Sequence, residues 1–191
     1  MKPAVVIPVK SFTMAKGRLA DTLSPVERES LARDCAARVV RAAGSFPVYV
    51  VCGDATVAEW ARSLGAHVVE QDRPGLDAAV ATGITAVAAA GHDHVIVAHA
   101  DLPLAESLAH VPVDGTVTIV TDRHHDGTNV LSVPLGAGFT TAYGPGSCDN
   151  HVRIAERLGI AHRVLVDESL SLDLDTADDL SELARRQGDN P

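Results

Sequence analysis

The sequence predicts an α/β fold in which helices cover both faces of a mostly parallel sheet. Apolar runs typical of buried strands occur at residues 4–9, 48–52, 67–69, 95–98 and 117–120. Helix-like segments alternate with these runs, and this alternation is the pattern of βαβ units. A parallel sheet built from such units carries its helices on both sides, which agrees with strands that are apolar throughout.

The first helix has a complete N-terminal signal. Ser24 and Glu27 have the spacing of a capping box, and Pro25 stands at the first helical position. Apolar residues then recur on one face, at positions 31, 35, 39 and 42. The helix is predicted to end near Gly44.

Two more helices follow in the first half of the chain. Asp54 is predicted to cap a helix over about 55–64, and Gly65 is predicted to stop it. An alanine-rich helix is expected over about 76–90. These elements complete the alternation of strands and helices.

Length and charge restrict the classes of protein that fit. A chain of 191 residues predicts a single domain, residues 1–191. The formal net charge of -9 argues against a broad surface for nucleic acid or for an anionic membrane. The start of the chain does not resemble a signal peptide, and no apolar run is long enough to span a bilayer. We expect a soluble, cytoplasmic protein, and association into a homo-oligomer stays open.

Cysteine and histidine usage argues against a zinc site. Cys35, Cys52 and Cys148 are odd in number and widely spaced, so neither a disulfide framework nor a thiolate site is predicted. His124 and His125 are adjacent, and adjacent side chains on a strand point to opposite faces. The three cysteines are better interpreted as buried or incidental thiols.

Three cations follow the first strand. Lys10, Lys16 and Arg18 lie in the loop that leaves residues 4–9. In open α/β sheets the ligand crevice lies outside the carboxyl ends of the strands, so this loop is placed to bind polyphosphate. The alternative is an ordinary solvated loop.

Aspartates at two other places are candidate ligands for a divalent cation. Asp101 follows the run at 95–98, and Mg²⁺ prefers one or two carboxylates together with phosphate oxygens and water. The alternative is that Asp101 caps a short helix after Pro103. Asp173 and Asp175 alternate with leucines, so they share one face if the backbone is extended.

The aspartates that follow have a local explanation. Thr176 and Asp179 have the spacing of a second capping box. Asp178 and Asp179 are therefore predicted to be first-turn acids that complement the helix dipole. Asp173 and Asp175 have no such role.

Glycine-containing loops occupy the second half of the chain, around a short strand at 129–133. Ser147 is predicted to cap a helix over 148–158, whose free amides and positive dipole end would bind an anion. A simple cap is the alternative, and the two roles are compatible. His151 lies near this helix start, where it either adds a hydrogen bond or is an ordinary surface histidine.

These motifs together resemble one family, the phospholactate and phosphoenolpyruvate guanylyltransferases of deazaflavin coenzyme F-420 biosynthesis. The resemblance extends over residues 5–183 and depends on five motifs in the right order. It implies a Rossmann-like three-layer α/β/α sandwich of the nucleotide-diphosphosugar transferase type. The motifs are Val9-Lys10-Ser11-Phe12 with Ala15-Lys16-Gly17-Arg18-Leu19, Asp101-Leu102-Pro103, Gly127-Thr128-Asn129, Tyr143-Gly144-Pro145-Gly146-Ser147 and Asp173-Leu174-Asp175-Thr176.

The resemblance also implies roles for individual residues. Phosphoenolpyruvate contacts carry over to Thr128, Gly144 and Ser147, and the carboxylates that hold Mg²⁺ carry over to Asp101, Asp173 and Asp175. Lys10, Lys16 and Arg18, with Asp101, form the implied catalytic set around the nucleotide triphosphate. Two positions depart from the family pattern: Ala100 replaces a common glycine, and Asp77 replaces a common asparagine in a region expected to face the nucleotide.

The reaction expected from the resemblance is transfer of GMP from GTP to phosphoenolpyruvate or 2-phospho-L-lactate, with release of pyrophosphate. Alternative acceptors are 3-phosphoglycerate, a sugar phosphate or molybdopterin. The sugar and molybdopterin enzymes usually begin with a glycine-rich loop, whereas this loop has no glycine before Gly17. A protein that binds nucleotide without catalysis is the alternative from another class.

Overall fold

A computed structural model describes residues 1–71 and 73–188 of the chain. The strands, in chain order, are β1 (Pro3–Pro8), β2 (Val48–Cys52), β3 (His67–Glu70), β4 (His94–Ala98), β5 (Thr116–Thr121), β6 (Thr128–Pro134) and β7 (Ala161–Leu165). The α-helices are α1 (Pro25–Ala42), α2 (Ala55–Ser63), α3 (Leu76–Ala89), α4 (Ser147–Leu158) and α5 (Ala177–Gln187). Among these described residues, no helix has both the length and the hydropathy needed to cross a bilayer.

The strands form one mostly parallel sheet in the order β3-β2-β1-β4-β6-β5-β7. Its interior strand β1 is buried on both faces, because alternate side chains enter two different cores. Val5 and Ile7 pack with α1 and α2, whereas Ala4 and Val6 pack with α3 and α4. The sheet therefore has a helical layer on each side, which confirms the predicted α/β sandwich.

Local signals determine where several helices begin. Ser24 accepts a hydrogen bond from the Glu27 amide while the Glu27 side chain accepts one from the Ser24 amide, so the predicted capping box of α1 is confirmed. Asp54 caps α2 as predicted. The second predicted capping box, between Thr176 and Asp179, begins α5.

Strand β6 is the antiparallel member of the sheet. It pairs with both β4 and β5, and its first residue, Thr128, lies at the edge where the parallel strands end. Ala98 faces Val130 across the ladder, and the His99 amide donates to the Asn129 carbonyl at 3.0 Å. Residues that begin β6 and residues that follow β4 are thereby brought together.

Strand β7 is an element that the sequence does not predict. It pairs in parallel with β5 at the end of the sheet, and its residues are exposed or half-buried. An edge strand of this kind has a partner on one side only, so it needs few apolar residues. His162 and Arg163 interrupt the apolar pattern that would otherwise have marked it.

Candidate active site

Five segments meet at the carboxyl edge of the sheet. They are the loop after β1, the loop after β4, the start of β6, the loop before α4 and the segment before α5. Two hydrogen bonds fix the last of these: the Leu174 amide donates to the Asp101 carbonyl at 3.1 Å, and the Asn129 side chain donates to the Leu170 carbonyl at 3.0 Å. The predicted metal ligands and the predicted acceptor residues therefore lie on neighbouring segments.

Lys16 joins two of the predicted aspartates. Its Nζ donates to Asp101 Oδ2 at 2.9 Å and to Asp175 Oδ1 at 3.5 Å. The Lys16 side chain is only 6% exposed, and Asp101 is 26% exposed. Arg18 lies at the rim, with its Nη1 3.7 Å from Asp175 Oδ2. Lys10 is exposed.

The charges of this pair stabilise each other. Burial favours the neutral amine of Lys16, but the Asp101 carboxylate outweighs burial and raises the pKa of Lys16. Burial likewise favours neutral Asp101, but the Lys16 charge and then His99 outweigh it, and the pKa of Asp101 is lowered. Both groups are therefore charged at neutral pH.

The backbone at Lys16 is in the left-handed region, with φ of +56°. This conformation costs a residue with a Cβ about 1–2 kcal/mol. The residue lies between two short 3₁₀ turns, Phe12–Met14 and Gly17–Leu19. Such strain persists when the surroundings fix the side chain, and here the two carboxylates do so.

The aspartates suit a divalent cation by their chemistry, although they are not a preformed cage. Asp101 Oδ1 is buried with no hydrogen-bond partner, so one carboxylate oxygen is available. Burial and then the Asp101 charge raise the pKa of Asp173, and a cation beside it would relieve that repulsion. Within 1–71 and 73–188, however, no three His, Cys, Asp or Glu side chains are grouped closely enough to hold a metal.

Asp101 is not a helix cap. The backbone after Pro103 forms turns and irregular structure, so the described residues contain no helix there. The alternative explanation of Asp101 is therefore wrong. Its carboxylate is instead engaged by the buried Lys16 ammonium.

The three predicted acceptor residues lie at the start of β6 and the start of α4. Thr128 and Ser147 are each 2% exposed, and Ser147 Oγ donates to Thr128 Oγ1 at 3.3 Å. Gly144 is exposed and has a φ of +121°, a conformation open to glycine. The hydroxyls form a connected pair, and Gly144 lies in the loop that leads to them.

Two expectations about the start of α4 are wrong. Gly146 is the N-cap and Ser147 is the first helical residue, so Ser147 does not cap the helix. Two of the amides expected to be free are also engaged: Gly146 donates to Asp126 Oδ2 at 3.0 Å, and Cys148 donates to the Asp126 carbonyl at 3.0 Å. The Asp126 carboxylate thus lies at the helix start, where an anion was expected to bind, because the β5–β6 turn packs against this helix.

Asp77 holds the loop before α4. Its Oδ1 accepts from the Thr141 hydroxyl at 2.7 Å and from the Tyr143 amide at 3.2 Å. Burial and then the Asp77 charge raise the pKa of Tyr143, whose buried hydroxyl has no partner in the described residues. The residue that departs from the family pattern thus has a local structural role.

The structure decides between the two interpretations of His151, a hydrogen-bonding residue or an ordinary surface histidine. His151 is fully buried, and its Nδ1 lies 3.0 Å from Thr128 Oγ1. Its Nε2 accepts from the Ala142 amide at 3.0 Å. The available signal was spacing: His151 lies four residues after Ser147, on the same face of α4.

Comparison with known proteins agrees with this architecture. A model of the family described as "Guanylyl transferase CofC like" matches residues 3–189. A phosphoenolpyruvate guanylyltransferase of Rubrobacter xylanophilus is 35% identical, with 98% of this chain and 96% of the relative covered. A 2-phospho-L-lactate guanylyltransferase of Methanothermobacter thermautotrophicus is 32% identical, with 96% and 84% covered. A 3-phospho-D-glycerate guanylyltransferase of Phenylobacterium zucineum is also 32% identical, with 94% and 88% covered.

Solved structures share the fold at low identity. A candidate nucleotide-diphospho-sugar transferase from Desulfovibrio desulfuricans superposes with a TM-score of 0.75 at 16% identity, covering 97% of this chain and 87% of that one. A 4-diphosphocytidyl-2C-methyl-D-erythritol synthase from Anaerococcus prevotii gives 0.63 at 8% identity, covering 98% and 100%. With its family model matched from residue 3 to residue 189, the chain belongs to the CofC-like guanylyl transferases, a family of nucleotidyltransferases.

Proposed function

We propose that this enzyme transfers GMP from GTP to the phosphate of phosphoenolpyruvate or 2-phospho-L-lactate, in the biosynthesis of coenzyme F-420. The observation that carries the proposal is the buried Lys16 ammonium held between Asp101 and Asp175 at the carboxyl edge of the sheet. Ligands of open α/β sheets bind at this edge, where the ammonium and an Mg²⁺ ion that the carboxylates would hold could together neutralise a nucleotide triphosphate. The names of the relatives support the choice of guanine nucleotide and of acid.

The chemistry is a displacement at phosphorus. A phosphate oxygen of the acceptor forms a bond to the α-phosphorus of GTP, and the bond from that phosphorus to the α,β-bridging oxygen breaks. Pyrophosphate leaves with the bridging oxygen and its electron pair. Because the attacking phosphate is already an anion, no strong general base is needed, and the main task is to bring two anions together.

The residues of the chain divide this task. Lys16 and Arg18, with Lys10 in the loop just after β1, supply positive charge for the triphosphate and for the leaving pyrophosphate. Mg²⁺, when bound, would be held by Asp101, Asp173 and Asp175 and would neutralise charge on the α-phosphate. Thr128, Ser147 and Gly144 are the proposed contacts of the acceptor.

The burial of the acceptor hydroxyls has a consequence for binding. Thr128 and Ser147 are each 2% exposed, so an acceptor reaches them only if a neighbouring segment moves aside. Gly144 and Gly146 both have positive φ, and both lie just before the start of α4, beside these hydroxyls. We propose that residues 143–146 open when the acceptor binds.

One alternative acceptor has a specific observation in its favour. The relative from Phenylobacterium zucineum is named for 3-phospho-D-glycerate and is as similar to this chain as the phospholactate enzyme is. All three acids carry both a phosphate and a carboxylate. The choice among them is a property of a few side chains around the acceptor.

The test is pyrophosphate release by the purified protein with MgCl₂ and GTP. Phosphoenolpyruvate, 2-phospho-L-lactate and 3-phospho-D-glycerate are offered in parallel, product masses are recorded, and ATP replaces GTP as a nucleotide control. We expect one acid to give most of the release together with the matching GMP adduct. Release without an adduct, or no release with any acid despite GTP binding, would overturn the proposal.

A further inference from the structure

A second layer of hydrogen bonds lies behind the proposed acceptor hydroxyls. His151 contacts two groups through its two ring nitrogens, at 3.0 Å in each case: Thr128 Oγ1 at Nδ1 and the Ala142 amide at Nε2. An amide N–H is only a donor, so Nε2 must be the acceptor and cannot carry a proton. The proton of the neutral ring is therefore on Nδ1, which donates to Thr128.

This assignment decides what Thr128 can do. Its oxygen accepts from His151 Nδ1 and also from Ser147 Oγ, which lies 3.3 Å away. A hydroxyl has two acceptor lone pairs and one hydrogen, so both lone pairs of Thr128 are used. Its hydrogen is left over, and the described part of the chain provides no acceptor for it. The donation from His151 keeps that hydrogen away from the ring even when the Ser147 hydroxyl turns from Thr128 to the acceptor.

We infer that His151 is a positioning residue, which fixes Thr128 as a hydrogen-bond donor toward the phosphate of the acceptor. The inference rests on the proposed function, in which Thr128 contacts that phosphate. A phosphate oxygen can accept a hydrogen bond from a hydroxyl but cannot donate one. If the Thr128 hydrogen pointed at His151, Thr128 could not donate a hydrogen bond to the phosphate. The single ring tautomer prevents this orientation before the acceptor arrives.

The surroundings of His151 keep the ring neutral. Burial lowers the pKa of His151 to about 4, while the Asp77 charge opposes this shift and His99 adds to it. Phe139 and Tyr143 face the ring with centroids 5.9 and 5.1 Å away. The donor role of Thr128 therefore holds at neutral pH.

The free protein allows a first test that needs no turnover. The ring nitrogens of ¹⁵N-histidine-labelled protein report the tautomer, and comparison with His151→Asn identifies the His151 signals. We expect the proton on Nδ1 and no titration of this ring between pH 8 and pH 6. A ring with its proton on Nε2, or one that titrates near pH 6.5, would overturn the inference.

Kinetics provide the second test, by comparing two amide variants. The amide of His151→Asn lies near the position of Nδ1 and keeps a donor for Thr128, whereas the amide of His151→Gln lies nearer Nε2. We expect His151→Gln to raise KM for the acceptor about 10- to 100-fold, as for a lost hydrogen bond to a charged group, with KM for GTP unchanged. His151→Asn should recover most of this loss.

Thr128→Val and a second buried histidine complete the design. Thr128→Val should reproduce the acceptor defect, and adding His151→Gln to it should cause little further loss, because both remove the same donor.

His94 is 1% exposed and its Nε2 lies 2.7 Å from Ser132 Oγ, away from the site, so His94→Gln is the control for a buried histidine. It should lower the melting temperature without changing the ratio of the two KM values.

The outcomes separate the two proposals. An active His151→Gln enzyme whose ratio of acceptor KM to GTP KM equals that of wild type would overturn this inference and leave the proposed function intact. Wild-type protein that transfers GMP to none of the phosphorylated acids would overturn the proposed function, and with it the role of His151. That result is visible before any variant is made.

Discussion

Lys16 is the residue on which the charge balance of the site depends. It brings a cation to Asp101 and Asp175, which lie 85 and 159 residues further along the chain. Burying an ion pair costs solvation, and the pair persists here because the ammonium contacts two carboxylates.

Replacing Asp101 with asparagine tests the catalytic role. We expect Asp101→Asn to lower kcat at least about 100-fold, a loss typical of removing one preorganised electrostatic group. Because Lys16 loses a charged partner, the free energy of unfolding should also fall by about 1–3 kcal/mol. Steady-state kinetics and urea unfolding measure the two effects. Asp21→Asn, which removes an exposed charge from the same loop, should change neither, and wild-type turnover in Asp101→Asn would remove Asp101 from the mechanism.

The Lys16–Asp101 pair predicts a pH dependence of stability. The pKa of Asp101 is lowered on folding, so its contribution is present above the unfolded value near 3.9 and is lost as pH falls through the folded value. The pKa of Lys16 is raised, so its contribution is complete below about 10.4 and is lost as pH rises through the folded value. Between these limits the pair contributes a constant amount.

Lys16→Met isolates that contribution. Methionine has a side chain of similar length, and it must adopt the same left-handed backbone conformation as Lys16. The difference in unfolding free energy between wild type and Lys16→Met should be largest near neutral pH and should shrink as pH falls below 4. Urea unfolding between pH 3 and pH 7 measures it. If the difference does not vary with pH, the ionisation of Asp101 in this pair does not contribute to the free energy of unfolding.

At the scale of elements, α3 shows packing acting against helix propensity. Gly83 lies inside this helix, where alanine would ordinarily be more stable by about 1 kcal/mol. A Cβ at this position would lie 2.5 Å from Val6 Cγ1 and 2.9 Å from Val51 Cγ2. The absence of a side chain is what allows α3 to pack closely on β1 and β2.

Gly83→Ala should therefore destabilise the protein even though it adds a better helix former. Overpacking of a core costs about 1–3 kcal/mol, which exceeds the gain in propensity. Thermal unfolding measures the net effect as a lower melting temperature. Thr85→Ala, at an exposed position of the same helix, should change it little, and a rise in melting temperature for Gly83→Ala would contradict the close packing.

At the scale of the whole molecule, the sheet connects two cores. Side chains of β1 and β4 enter both cores alternately, so loss of either core exposes the same strands. We predict that the chain unfolds as one cooperative unit. Scanning calorimetry should give a single transition with equal calorimetric and van't Hoff enthalpies. Two transitions, or a calorimetric enthalpy well above the van't Hoff value, would indicate two domains.

The features that sequence reasoning predicted correctly depend on short-range interactions. The capping boxes of α1 and α5 join residues three apart, and the cap of α2 joins Asp54 to the next turn. The buried strands of the sheet are mostly apolar, so they too can be recognised from neighbouring residues alone. Strand β7 could not, because it depends on pairing with β5 rather than on its own composition.

The amino-acid sequence by itself determined the α/β class, the family and the order of the elements other than β7, together with the residues that carry charge. Only the tertiary structure decided which of those residues meet: that Lys16 joins Asp101 to Asp175, that Asp126 occupies the start of α4, and that His151 contacts Thr128. The physical reason is range. Caps and apolar periodicity come from neighbours along the chain, whereas these contacts join segments that only the packing of the sheet and its helices brings together.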